Sequence, residues 1–134
     1  MQITRQADYA LRAMVFLARL EPNKRAATKT IAEKQKIPPS FLAKIISQLS
    51  IAGLVQTSRG ARGGVFLSRP PGEISLLEVV EAIDGPVALN DCTVAPGNCE
   101  NQEDCPLHII WQETQDELVA RLRSTTFDRF TMKA

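Results

Sequence analysis

The chain has 134 residues, of which 44% are hydrophobic, 23% charged and 5% aromatic. That length suffices for one domain with a real hydrophobic core and excludes two ordinary ones, and with so few aromatics the core must be built from Leu, Ile, Val and Ala. The net charge of +1 conceals a division: residues 1–90 carry 12 Lys/Arg against 7 Asp/Glu, whereas 91–134 carry 4 against 8, so a polyanionic partner is expected for the front alone.

No long apolar run follows Met1, so the sequence reads as having neither a signal peptide nor a membrane span. The expectation is a cytoplasmic protein whose thiols stay reduced. Its three cysteines are odd in number and crowd between residues 92 and 105. Structural disulfides do not account for that pattern; metal binding or redox chemistry does.

Thr4 to Arg19 reads as a helix, because Tyr9, Leu11, Met14, Val15, Phe16, Leu17 and Leu20 recur at helical spacing, and Glu21-Pro22-Asn23 ends it. Thr28 or Thr30 is suited to cap a short second helix through about Lys36, with Ile31 and Ala32 inward. Pro38-Pro39-Ser40 starts a third helix through Phe41, Leu42, Ile45, Ile46 and Leu49, stopped at Gly53. Leu54-Val55-Gln56 and Val65-Phe66-Leu67 then form a predicted β-hairpin around the basic, glycine-rich tip 58–64. After Pro70-Pro71-Gly72, the Ser75-Leu76-Leu77-Glu78 capping box opens a fourth helix through about Ile83. Residues 85–104 show no periodicity, and an irregular stretch of that length in a compact domain points to function or disorder. From Pro106 to Arg123 a long helix carries Leu107, Ile110, Trp111, Leu118 and Leu122 on one side.

This order predicts a mainly α fold with a small β-hairpin wing: a winged helix-turn-helix over 1–85, a cysteine-bearing loop over 86–105, and a long C-terminal dimerisation helix with its tail over 106–134. The third helix would enter the major groove of DNA, with Ser40, Lys44, Ser47 and Gln48 on its polar face. Ser40 and the helix N-terminus suit phosphates, and Lys44 suits a guanine edge or a phosphate. Arg59 and Arg62 stand among Gly60, Gly63 and Gly64, and arginine on a glycine-rich tip suits a narrow, negative minor groove. Either feature alone is a solvated turn or a wet helix face; their order and spacing together favour DNA binding. No Cys-x-x-Cys, His-Glu-x-x-His or Ser-His-Asp set points to an enzyme.

Cys92, Cys99 and Cys105 offer three soft thiolates on one loop, the donors an iron–sulfur cluster needs. His108, the chain's single histidine, lies one turn past Cys105 and is either a fourth ligand or an exposed side chain. A zinc site ranks second, because tight Cys-x-x-Cys knuckles are missing, and a metal-free thiol switch ranks third. Asp8 is the other candidate for the fourth position; its spacing to Arg12 favours an i,i+4 salt bridge instead.

The stretches Asp8-Tyr9-Ala10-Leu11-Arg12, Ile37-Pro38 to Leu49, Gly53-Leu54-Val55, Ser58-Arg59-Gly60 through Gly63-Gly64, Leu67-Ser68-Arg69-Pro70 and Ile74-Ser75-Leu76, with the cysteine loop after them, together resemble the Rrf-type winged-helix regulators. That family includes the IscR-like and NsrR-like iron–sulfur cluster sensors, and the resemblance runs over nearly the whole chain. It implies a homodimer on palindromic promoter DNA, with the long last helix crossing its partner. It implies Cys92, Cys99 and Cys105 as cluster ligands, His108 as the fourth ligand of a 2Fe–2S cluster in the IscR-like case, and Asp8 given across the dimer to a 4Fe–4S cluster in the NsrR-like case. It also implies Arg59 in the minor groove and Ser40 and Lys44 on the reading helix. Six residues separate Cys92 from Cys99, one more than the family's usual spacing. The mechanism so implied is a switch: redox change, nitric oxide or iron status alters the cluster, and the spacing of two reading heads set roughly 34 Å apart changes with it.

Overall fold

A computed structural model describes residues 2–94 and 105–131. Its helices are α1 (Arg5–Ala18), α2 (Thr28–Gln35), α3 (Pro39–Ile51), α4 (Leu76–Asp84), α5 (Asp91–Val94) and α6 (Pro106–Ser124). Strands β1 (Val55–Ser58) and β2 (Gly64–Leu67) form one antiparallel hairpin, and short 3-10 turns span Pro71–Glu73 and Phe127–Phe130. The architecture is the expected one, mainly α with a two-stranded wing.

α1 is the centre of the core. Thr4 caps it by accepting the Ala7 N–H at 3.1 Å, and the Thr4 hydroxyl donates to Asp84 Oδ1 at 2.6 Å, tying the start of α1 to the end of α4. Ala7, Ala10 and Ala13 are fully buried, and such small side chains let α2, α3 and α4 all approach one helix. Around them pack Met14, Leu17, Ile31, Leu42, Ile45, Leu49, Leu54 and Val79. Each such side chain contributes about 1.5–3 kcal/mol by leaving water.

α2 differs at its start from the sequence expectation. Its N-cap is Ala27, and neither Thr28 nor Thr30 caps it. The reason is tertiary: Ala26 pairs with Val65 of β2 through both backbone hydrogen bonds, at 3.0 and 2.7 Å, so the entry to α2 is set by the wing. α2 is capped at its C-terminus by Lys36 in the left-handed conformation, and Pro39 opens α3 three residues later, which makes the tight turn between them. Gly53, at φ +79, ends α3 as predicted and sends the chain into β1.

The hairpin register pairs Val55 with Leu67, Gln56 with Phe66, Thr57 with Val65 and Ser58 with Gly64. Val55 and Val65 turn into the core, leaving Gln56, Ser58 and Phe66 on the outer face. The Ser75–Glu78 capping box is present at α4 in both directions, and Arg69 bonds Glu78 Oε1 at 2.9 Å.

Two features were not legible beforehand. Within the stretch read as irregular, Asp91–Val94 is a short helix, held by Asn90, whose Oδ1 accepts the Asp91 N–H at 2.9 Å. After α6 the chain returns to the core: Phe127 is fully buried, Thr126 bridges Ser75, and Arg19 Nε donates to the Phe130 carbonyl at 2.8 Å. The apolar stripe expected along α6 divides. Leu118 and Leu122, with Val119, pack on Leu77, Val80 and Val87, while Leu107, Ile110 and Trp111 are exposed together with Ile109.

Candidate nucleic-acid interface and cysteine site

The α2–turn–α3 unit presents one helix outward. Leu42, Ile45, Ile46 and Leu49 bury its inner face, which leaves Ser40, Lys44 and Ser47 exposed on the other. Gln48 is only half exposed; its Oε1 is shielded from solvent and has no partner among the described residues. Ser40 is the second residue of the helix, where backbone N–H groups lack intrahelical partners.

The wing tip carries Arg59 and Arg62, both exposed. Among the described residues the ion pairs are Arg12–Asp8 and Arg69–Glu78, so neither tip arginine nor Lys44 is neutralised by a carboxylate. Gly63 N–H bonds the Gly60 carbonyl at 2.9 Å and closes the tip. A Cβ on Gly63 would collide with the Ser58 carbonyl, so the turn requires glycine there. The outward helix and the basic tip thus lie in one continuous segment, 39–64, with uncompensated positive charge at both ends of the surface.

The cysteine segment is described at its two ends, and Cys99 lies outside the described residues. Cys92, on α5, is buried at 7% exposure, and Cys105, the N-cap residue of α6, is half-buried; both are free thiols. His108 sits in the first turn of α6 and is half-buried, its backbone N–H bonded to the Cys105 carbonyl at 3.2 Å. Its Nδ1 is shielded from solvent with no hydrogen-bond partner among the described residues. Asp8 is exposed and lies 3.4 Å from Arg12 Nε, the pairing its spacing favoured. Among the described residues no three His, Cys, Asp or Glu side chains come together around one metal position.

One positioning residue escaped the sequence reading. Gln115 on α6 is buried; its Oε1 accepts the Leu89 N–H at 2.9 Å and its Nε2 donates to the Thr93 carbonyl at 3.4 Å. It holds the segment bearing Cys92 against α6. The available signal was its spacing, four after Trp111 and three before Leu118, which puts a polar amide on the apolar side of the helix.

A helix-turn-helix with a basic, glycine-tipped wing defines a winged-helix DNA-binding protein. The model of the Rrf2 family, described as an iron-dependent transcriptional regulator, matches residues 3–133, and the chain belongs to that family of transcription regulators. Among curated proteins it is similar to the HTH-type transcriptional regulator IscR of Cronobacter sakazakii, 32% identical over 126 residues that cover 94% of this chain and 77% of IscR. Among solved structures it superposes on CymR, the global cysteine regulator of B. subtilis, with a TM-score of 0.83 at 25% identity, covering 98% and 96% of the two chains. The oxidized form of Staphylococcus aureus CymR gives 0.79 at 25% identity, covering 100% and 98%. IscR of T. potens gives 0.77 at 25% identity, covering 96% and 85%. Among the described residues no helix is long and apolar enough to cross a membrane.

Proposed function

We propose that this protein is a homodimeric, cytoplasmic regulator whose binding to double-stranded promoter DNA is switched by an iron–sulfur cluster. In this reading Cys92, Cys99 and Cys105 hold the cluster, with His108 or Asp8 as fourth ligand. Residues 1–85 read DNA through Ser40, Lys44, Ser47, Gln48, Arg59 and Arg62, residues 86–105 carry the cluster, and 106–134 make the dimer. The observation that carries it is His108: a shielded ring nitrogen without a partner, one turn past a free cysteine. A buried polar atom left unpaired is costly, and a metal bond would satisfy it.

The donor set fits the group. Soft thiolates with an imidazole or carboxylate suit an iron–sulfur centre, which when bound supplies a redox-active iron reactive toward small oxidants or nitric oxide. The chain's own residues connect that loop to the reading head. Gln115 of α6 holds Thr93, the residue after Cys92 on α5; α6 packs on α4, and α4 packs on α1 and α3. A shift at α5 is thereby felt at the reading helix, provided the ligated and unligated loops favour different arrangements. Dimerisation through the first half of α6 would cover Leu107, Ile110 and Trp111, apolar side chains that share one side of the helix and are exposed in the single chain.

The test is a visible spectrum with iron and sulfide assays on protein purified without oxygen. Wild type is expected to be coloured, with matched iron and sulfide, and a Cys92→Ala, Cys99→Ala, Cys105→Ala variant colourless. A triple variant as coloured as wild type overturns the ligand assignment. The likeness to the oxidized form of CymR favours a second reading, a metal-free thiol switch, in which Cys92 or Cys105 is oxidised directly. A colourless wild type whose DNA affinity still changes with peroxide supports that reading and excludes the cluster.

A further inference from the structure

Arg25 was given no role in the reading of the wing, yet it is built into it. Ala26 exchanges both backbone hydrogen bonds with Val65, an isolated antiparallel bridge that lays the segment ending α1's connection to α2 beside β2. The approach is close: a Cβ on Gly64 would stand 2.8 Å from the Ala26 carbonyl oxygen. From this segment the Arg25 guanidinium lies 4.6 Å over the Phe66 ring, and its Nη1 donates to the Ser58 hydroxyl. Phe66 and Ser58 are on the outer face of the hairpin, and Ser58 is the residue directly before Arg59. The guanidinium is therefore held, exposed and oriented, at the root of the basic tip. Among the described residues no carboxylate pairs with it, and of its five N–H donors one is used within the chain.

We propose that Arg25 is a phosphate-binding residue of the wing, one that grips the DNA backbone beside the groove that Arg59 enters. The proposal rests on the reading that the wing tip enters a minor groove. That groove is only about 6 Å wide and bordered by phosphates on both sides, so a cation fixed one residue from the inserted arginine meets the phosphate rail rather than the bases. The aromatic ring beneath and the hydroxyl beside it hold the guanidinium in place before binding, and preorganisation lowers the ordering cost of the contact. A planar guanidinium with free donors also suits a bidentate phosphate contact.

The experiment is a fluorescence titration of the full chain with a labelled random-sequence DNA duplex over a series of NaCl concentrations. Because each neutralised phosphate contributes about 0.9 to the slope of log affinity against log salt, Arg25→Ala is expected to lower the slope's magnitude by about that amount per bound protomer. Arg25→Lys, which keeps the charge, is expected to retain the slope. Ser58→Ala, which removes only the internal hydrogen bond, is expected to retain it too. If Arg25→Ala weakens binding equally at every salt concentration, with the wild-type slope, Arg25 is only a latch within the wing and the proposal is overturned. An Arg59→Ala control separates the two levels. If wild type binds and Arg59→Ala lowers the slope while Arg25→Ala does not, the inference about Arg25 alone fails. If wild type shows no salt-dependent duplex binding, the DNA reading fails and takes the inference with it.

Discussion

Gln115, a buried residue of α6, accepts a hydrogen bond from the Leu89 backbone N–H at 2.9 Å. With its second bond, to the Thr93 carbonyl, this one amide holds both ends of the turn that presents Cys92. Replacing it with Leu, of similar size, removes both partners and leaves Leu89 N–H and the Thr93 carbonyl without them. Gln115→Leu is expected to lower stability by about 1–3 kcal/mol, read from the urea unfolding midpoint. A midpoint equal to wild type would mean that the amide does not hold this segment.

The wing depends on Gly64. At φ +151, with Ala26 backbone 2.8 Å from any Cβ, alanine there must push the Ala26 segment away from β2. Gly64→Ala is expected to cost about 1–3 kcal/mol and to weaken DNA binding as well, since the same displacement moves the tip. Thermal unfolding and a duplex titration on the same sample check the two effects. A variant that melts with the wild type would show that the segment can yield.

At the start of α4, Ser75 is buried and accepts the Glu78 N–H at 3.2 Å, while the Glu78 carboxylate accepts the Ser75 N–H at 3.0 Å. Ser75→Ala is expected to cost about 1 kcal/mol. Arg69→Ala, which removes a pair whose side chains are 39% and 41% exposed, is expected to cost less, because water screens that interaction. Denaturant unfolding of the two variants side by side tests the order; the reverse order would sink it.

If the first half of α6 is the dimer contact, a charge placed in it has to be buried without a partner. Ile110→Asp is expected to convert a two-chain particle into a single chain, measured by light scattering after size-exclusion chromatography. A variant that keeps the wild-type mass would put the dimer contact elsewhere.

Arg59→Ala is expected to weaken binding to an operator fragment about tenfold, while a Glu33→Ala control away from the tip leaves it unchanged. Equal affinity of wild type and Arg59→Ala would remove the wing from the interface.

Much of this molecule was legible in the sequence because its signals are local. The helical spacing of α1, the capping box of Ser75 and Glu78, Pro39 opening α3 and Gly53 closing it each depend on residues within a turn or two of one another. The order of helix, turn, helix and basic hairpin then leaves few architectures, and the winged helix is the one observed. What only the tertiary structure decided depends on partners distant in the chain. Ala27, rather than either threonine, takes the N-cap position of α2 because Val65 grips Ala26. Phe127 is core because Ile74 and Ser75 bind the chain beside it, with the Phe127 N–H meeting the Ile74 carbonyl at 3.1 Å. The α6 stripe divides because α4 covers only its second half. Arg25 and Gln115 acquire a role only when Phe66 and Ser58 lie beside the one, and Leu89 and Thr93 beside the other. Local propensity is written in neighbouring residues, whereas burial and hydrogen-bond partnership belong to the folded surface, and that is the division seen here.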